Sequence, residues 1–291
     1  MTLIAARPSA RRPLGSITRG RGRGLVAVGG VLLALVALGA VLAPWIAPFD
    51  PAAQNAGPRM APPSAEHWFG TDRFGRDTFS RVLHGGRQTL LLTGATMLAI
   101  GAVGAVVGVL LGLVGPRLDA LGRRVVDGIV AFPAVIVILA LVGLRGPSLL
   151  TVLGGALLVW WAPFARLVRA LVRGALAEPS AVTARALGAS GPRLLVGEVA
   201  PRLTGPLAVL TAIESGQLIA TVAGLSFLGM GAQPPEAEWG AMLAEARGVA
   251  LASPSQVLGP GLAVLVTVFA VTCLGEGLRD LSDRAAMVVT R

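Results

Sequence analysis

A chain of 291 residues that is 54% hydrophobic and 14% charged, with mean hydropathy +0.74, lies far from soluble domains, in which about 25% of residues are charged. Its formal charge of +10 comes wholly from arginine, because the chain contains no lysine; without lysine there is no G-x-x-x-x-G-K-[ST] loop to cradle the phosphates of ATP. The arginines sit at the ends of apolar runs, which argues for a polytopic all-α membrane protein and against a nucleic-acid partner.

In chain order, residues 1–24 hold Arg7, Arg11, Arg12, Arg19, Arg21 and Arg23 with no acid, and are expected to form a disordered basic tail. Residues 25–46 follow as an apolar run of the ~20 residues that a spanning helix needs. The run exceeds the ~7–15-residue core of a cleaved signal peptide, and Pro44 and Pro48 end it, so a retained anchor is expected. Residues 47–87 are polar and make an extracytoplasmic segment. Within it, GTDRFGRD (Gly70 to Asp77) reads as a turn in which Asp72 or Asp77 pairs with Arg73, Arg76 or Arg81. Those charges are expected to fix the loop against the outer membrane surface rather than to touch cargo.

Residues 88–277 hold five further spans. The second, Leu90 to Val114, carries Gly101, Gly104 and Gly108 at spacings of three and four, a narrow face suited to close helix packing. Pro116 to Arg124 reads as a short basic loop. The third span, Val125 to Leu144, opens with Asp127 and has a kink at Phe132-Pro133. The fourth runs from Leu149 to Val168, and Arg166, Arg169 and Arg173 share one face at its cytoplasmic end. The fifth, Leu203 to Leu228, contains Glu214 and Gln217. Polar and ionisable groups inside spans are costly and mark transport routes, so these two are the candidates for the substrate pathway. Gly229 and Gly231 end that span, Pro234-Pro235 imposes extended backbone, and Glu236, Glu238 and Glu245 make the following connection acidic. The sixth span is Val257 to Leu274, and residues 278–291 form a C-terminal tail.

Between the fourth and fifth spans, Glu178 to Arg202 is too polar to be buried in lipid and too regular to be a slack linker. Ser180 is placed to cap a short helix, AVTARAL. Gly188 ends it, where φ > 0 costs least. Pro192 suits the first turn of a second helix and Pro201 closes it. Ala181, Ala184 and Leu187 are expected on one face, a single bulky knob among small neighbours that suits docking into a groove on another protein.

ARALGAS, with Pro201 beyond it, resembles the cytoplasmic coupling loop of importer-type ABC permeases, although Val182, Thr183 and Ala184 stand where that family has Glu-Ala-Ala. VDGIVAFPAV is similar to the family's D-x-x-x-x-F-P pattern. GTDRFGRD, SFLGMGAQPPEAEWG and GEGLRD resemble signatures of its dipeptide/oligopeptide/nickel branch. The resemblance implies the type I importer permease fold with six transmembrane helices. It implies a pathway shared with a second homologous permease subunit, two cytoplasmic ATPase subunits beneath, and an extracytoplasmic substrate-binding protein. Ala184, Arg185, Ala186, Leu187, Gly188, Ala189 and Ser190 would then couple the chain to an ATPase. ATP and Mg would be bound by those partners, with no cofactor in this chain.

The arginine distribution sets the orientation: with the tail inside, inner segments carry 18 of the 25 arginines and outer segments 7, the positive-inside bias. Both termini and the coupling loop are thus expected in the cytoplasm of a bacterial inner-membrane protein surrounded by lipid. The single Cys273 excludes a disulfide within the chain, and His67 and His84 have no ligand spacing. No metal site and no catalytic constellation is expected. The competing reading is a secondary transporter or channel subunit that works without ATPases. It would need buried coupling charges, for which only Glu214 and Asp127 qualify, neither with an obvious partner inside the membrane.

Overall fold

Ten helices carry residues 17–289, the part that this computed structural model describes, with side chains described from 21 to 282. Residues 1–16 of the expected basic tail lie outside the described residues. The first helix, α1, spans Ile17–Ile46, so Arg21 and Arg23 belong to its opening turns rather than to a tail.

α2 spans Thr78–Leu113 and starts well before Leu90. The cause is Asp77, whose carboxylate accepts from the Ser80 backbone N–H at 2.7 Å, satisfying one of the free donors at the helix start. The loop that follows α1 therefore ends at Asp77.

Pro116 to Arg124, expected as a loop, is helical. It opens α3, Pro116–Ala131, with Pro116 in the first turn and Asp119 close behind, both favourable positions at a helix N-terminus. α4 covers Ala134–Arg145. The expected kink is a full break: α3 and α4 are bent by 77°. Phe132 and Pro133 adopt extended backbone, because a proline ring disfavours helical geometry in the residue before it. Twelve residues of α4 rise about 18 Å, short of the ~30 Å apolar core of a bilayer.

α5, Leu149–Ala177, is capped by Ser148 and continues past Val168, carrying Arg166, Arg169 and Arg173 on helix. Next come α6, Pro179–Ala186, and α7, Gly191–Leu194, then a π-helical turn, Leu195–Val199, and α8, Ala200–Phe227. Pro201 does not close a helix; it sits in the first turn of α8. Proline lacks the N–H and crowds the carbonyl four residues back; the π turn stands just before it, with the Ala200 N–H on the Leu195 carbonyl. Gly229, at φ +82°, ends α8, with the Met230 N–H bonded to the Leu225 carbonyl at 2.9 Å, a Schellman closure. The Pro234-Pro235 peptide is cis. α9, Trp239–Ala246, and α10, Ser255–Val289, complete the chain; α10 runs on through the expected C-terminal tail.

Helices α1, α2, α5, α8 and α10 are long and apolar enough to cross a membrane, and α3–α4 supplies the sixth span when taken as one broken unit. α5 is central, touching α2, α3, α4 and α8. Ile100, Ile138, Val152, Phe164, Leu218 and Val222 form the core between them. The glycine face of α2 is offset one turn from expectation. Gly104, Gly108 and Gly112 lie against Phe164, Val168 and Val172 of α5, and a Cβ at Gly108 would fall 2.6 Å from the Val168 Cβ. Gly101 stands at the rim, where an added Cβ would lie 3.9 Å from the Phe164 ring. Small residues let the backbones approach, which is how helices gain packing energy in lipid. α1 and α10 meet the same way through Gly22, Gly29 and Gly277.

The acidic and basic residues of the loop before α2 and of α9 join in one network. Asp72 pairs with Arg76 and, at 3.9 Å, with Arg81, and both arginines reach Glu245 of α9. Asp77 pairs with His67 at 2.9 Å rather than with an arginine, and Arg73 stacks on Phe74. Glu238 is buried as the cap of α9, accepting from the N–H groups of Gly240 and Ala241. Burial pushes its carboxyl pKa up, against the lowering by those two backbone donors. This network binds the loop to α2, α9 and α10, where Gln256 donates to the Thr71 carbonyl.

Candidate coupling site

The candidate coupling segment is built from the end of α5 outward. Glu178 ends α5 in extended backbone, and Pro179 takes the first position of α6. Ser180 therefore stands inside the first turn, two residues past the cap position held by Glu178. Its hydroxyl donates instead to Glu198 at 2.9 Å, and Glu198 also pairs with Arg202 at 3.6 Å. These bonds, with Arg202 donating to the Ala175 carbonyl, tie the segment back to the roots of α5 and α8.

α6 closes on the predicted glycine. Gly188 has φ +88°, its N–H reaches the Arg185 carbonyl at 3.0 Å, and the Ala189 N–H reaches the Ala184 carbonyl at 2.9 Å. That is a second Schellman closure. No atom lies within 4 Å of where a Gly188 Cβ would sit, so the backbone angle alone, and not crowding, selects glycine there.

The expected common face divides. Ala181 is buried against the rest of the chain, Ala184 is half-buried, and Leu187 is 84% exposed. The reason is rotational: the root of α6 packs back on α5, and the exposed knob lies on the last turn, beyond that contact. Arg185, Ala186, Gly188 and Ser190 are exposed, and Ala189 is half-buried. The seven residues thus form one projecting turn with an uncovered leucine at its tip. It can insert an apolar side chain, flanked by Arg185, into a groove on another protein.

Between α3 and α5 lies a charge cluster centred on Asp119, which sequence reasoning missed. Asp119 of α3 is 3% exposed and receives a two-pronged contact from Arg169 of α5, with Nη2 to Oδ2 at 2.6 Å. Arg173 and Arg123 approach the same carboxylate at 3.3 and 3.6 Å. Asp127, which in sequence had no evident partner, pairs with Arg166 at 2.8 Å. The available signal was Pro116 followed by Asp119 and, four residues on, Arg123, a helix start with an i,i+4 ion pair. The shared face of Arg166, Arg169 and Arg173 is as expected.

Glu214 and Gln217 lie on α8, away from the coupling turn. Glu214 is half-buried and Gln217 exposed, so they sit on a face that the rest of the chain covers only in part. Among the described residues no group of three His, Cys, Asp or Glu side chains is placed to hold a metal ion.

Residues 104–288 match the family described as binding-protein-dependent transport system inner membrane component, and residues 22–63 match the N-terminal TM domain of oligopeptide transport permease C. The chain is 37% identical over 253 residues to the nickel transport system permease protein NikC of Escherichia coli (strain K12), covering 87% of this chain and 91% of that protein. It is 35% identical over 259 residues to the dipeptide transport system permease protein DppC of Alkalihalophilus pseudofirmus, covering 89% and 85%. A solved structure of the MetNI methionine ABC transporter in inward-facing conformation aligns at TM-score 0.51 and 18% identity, over 72% of this chain and 97% of that one; it supports the fold alone. The sequence match over the α2–α10 bundle, joined to an oligopeptide-permease N-terminus, settles the affiliation: the chain belongs to the binding-protein-dependent transport system inner membrane components and is a multi-pass permease subunit of an ABC importer, a transport subunit and not an enzyme.

Proposed function

We propose that this permease imports peptides or related small solutes, nickel chelates among them, through a pathway shared with a second homologous permease subunit. The similarity to a nickel permease and to a dipeptide permease supports that cargo class. Two cytoplasmic ATPase subunits bind ATP and Mg below the membrane, and an extracytoplasmic binding protein delivers cargo from above. The observation that carries the coupling role is the exposed Leu187 at the tip of a turn fixed by Gly188. Closure of the ATPase pair pulls on that tip. The movement passes through α5 and α8, which flank it, and differential contact with open and closed ATPases biases two membrane conformations. Glu214 and Gln217 line the route on the part-covered face of α8. Both termini lie in the cytoplasm, in keeping with the arginine excess on that side.

The test is reconstitution of the importer complex. Leu187→Ala is expected to weaken ATPase binding. Gly188→Val is expected to abolish the stimulation of ATP hydrolysis by loaded binding protein, because a β-branched residue disfavours φ > 0. Both variants should insert normally. Full stimulation in the Gly188→Val complex would overturn the coupling role.

A further inference from the structure

We propose that the crevice between α3 and α5 binds the headgroup of an anionic phospholipid. A cavity of about 310 Å³ opens there, with Arg123, Asp127, Arg166 and Arg169 on its polar side and Leu111 and Val126 on its apolar side. The charges around it do not balance. Among the described residues, Arg123, Arg166, Arg169 and Arg173 face only the carboxylates of Asp119 and Asp127, which leaves two positive charges in excess.

The arginines are not equally committed. Arg169 is engaged with Asp119 through two nitrogens. Arg166 uses one nitrogen on Asp127 at 2.8 Å, and Arg123 reaches Asp119 only at 3.6 Å; both side chains are about half exposed. A guanidinium carries five N–H donors in a planar fork. Arg123 and Arg166 therefore keep donors free at the cavity, in the geometry that suits a phosphate.

The position of α3 selects lipid as the source of that phosphate. Its outward face is apolar, with Leu118 63% and Leu121 60% exposed, while its other faces carry the charges. The helix is bent by 77° from α4. The opening turns of α3, which precede the crossing part of this broken span, suit the membrane interface with their apolar face toward the acyl chains, which sets their charged face at headgroup level. A free phosphate would satisfy the arginines but would leave Leu111 and Val126 unused. A phospholipid fills both sides of the crevice. The leaflet rests on the orientation proposed above; the binding itself does not.

The full-length chain, purified in mild detergent and exposed to equal phosphatidylglycerol and phosphatidylcholine, is examined by native mass spectrometry. The wild type should retain phosphatidylglycerol in preference, and Arg123→Gln/Arg166→Gln should lower that preference about tenfold, as expected for losing two charge-assisted phosphate contacts. Arg123→Lys/Arg166→Lys, which keeps the charge and loses the fork, should fall between. Equal retention of the two lipids by the wild type, or an unchanged preference in the Gln variant, overturns the proposal. So does full displacement of phosphatidylglycerol by excess inorganic phosphate, an arm that needs no variant and assigns the site to a soluble anion. Failure of ATPase subunits to copurify would count against the coupling role and leave the lipid ratios unaffected.

Discussion

At the scale of single residues, the most consequential side chains are those whose partners lie far away in sequence. Asp119 holds α3 to α5 through Arg169, with Arg173 and Arg123 beside it. Removing one member of a buried ion pair leaves the other charge uncompensated, a cost of roughly 3–5 kcal/mol when burial is complete. Arg169 and Arg173 are partly exposed, so the loss for Asp119→Ala should fall at or below the low end of that range. It is checked by thermal unfolding of the purified chain beside Asp119→Asn, which keeps the shape and one acceptor oxygen but removes the charge and the second acceptor. An unchanged unfolding temperature for Asp119→Ala would mean that the cluster is solvent-screened decoration. Glu214 is a different case. A carboxylate within a span costs about 2.5–3.5 kcal/mol on insertion scales, and it is tolerated where the chain leaves it part-covered. Glu214→Gln should alter uptake while the complex still assembles; wild-type uptake over all cargoes tested would remove Glu214 from the route.

At the scale of elements, glycine position decides the effect of a substitution. Gly108 faces Val168 at a distance that admits no Cβ, whereas a Cβ at Gly128 on α3 meets nothing within 4 Å. Gly108→Ala should lower the unfolding temperature, since overpacking a close helix contact costs about 1–3 kcal/mol. Gly128→Ala should raise it, because replacing a mid-helix glycine gains about 0.5–1 kcal/mol. Equal shifts from the two variants would show that the α2–α5 contact is not as tight as the geometry requires. The break between α3 and α4 belongs to this scale too. Phe132-Pro133 announced a bend, but proline forbids only local hydrogen bonds and does not fix an angle. The 77° follows from what each half packs against: α3 is held to α5 by charge, and α4 contributes Ile138 and Val142 to the core.

At the scale of the whole molecule, orientation is the property most open to direct test. With Cys273 replaced by Ala, Ser190→Cys should react with an impermeant thiol reagent only from the cytoplasmic side, and Glu236→Cys only from outside. Both positions are exposed. Labelling of Ser190→Cys in intact cells would place the coupling turn on the wrong face. The sequence alone determined the class of the protein, its apolar runs and the closure of α6 at Gly188 and of α8 at Gly229. Each of these is written in local chemistry: hydropathy over ~20 residues, or a backbone angle that one residue type adopts freely. It did not determine that Pro201 would sit inside a continuing helix, that Ala181 would turn inward while Leu187 pointed out, or that Asp119 and Asp127 would find arginines on another helix. Those outcomes depend on which helix lies beside which and in what rotation. Only the tertiary structure decided them, because ion pairing and close packing join residues whose separation along the chain carries no local signal.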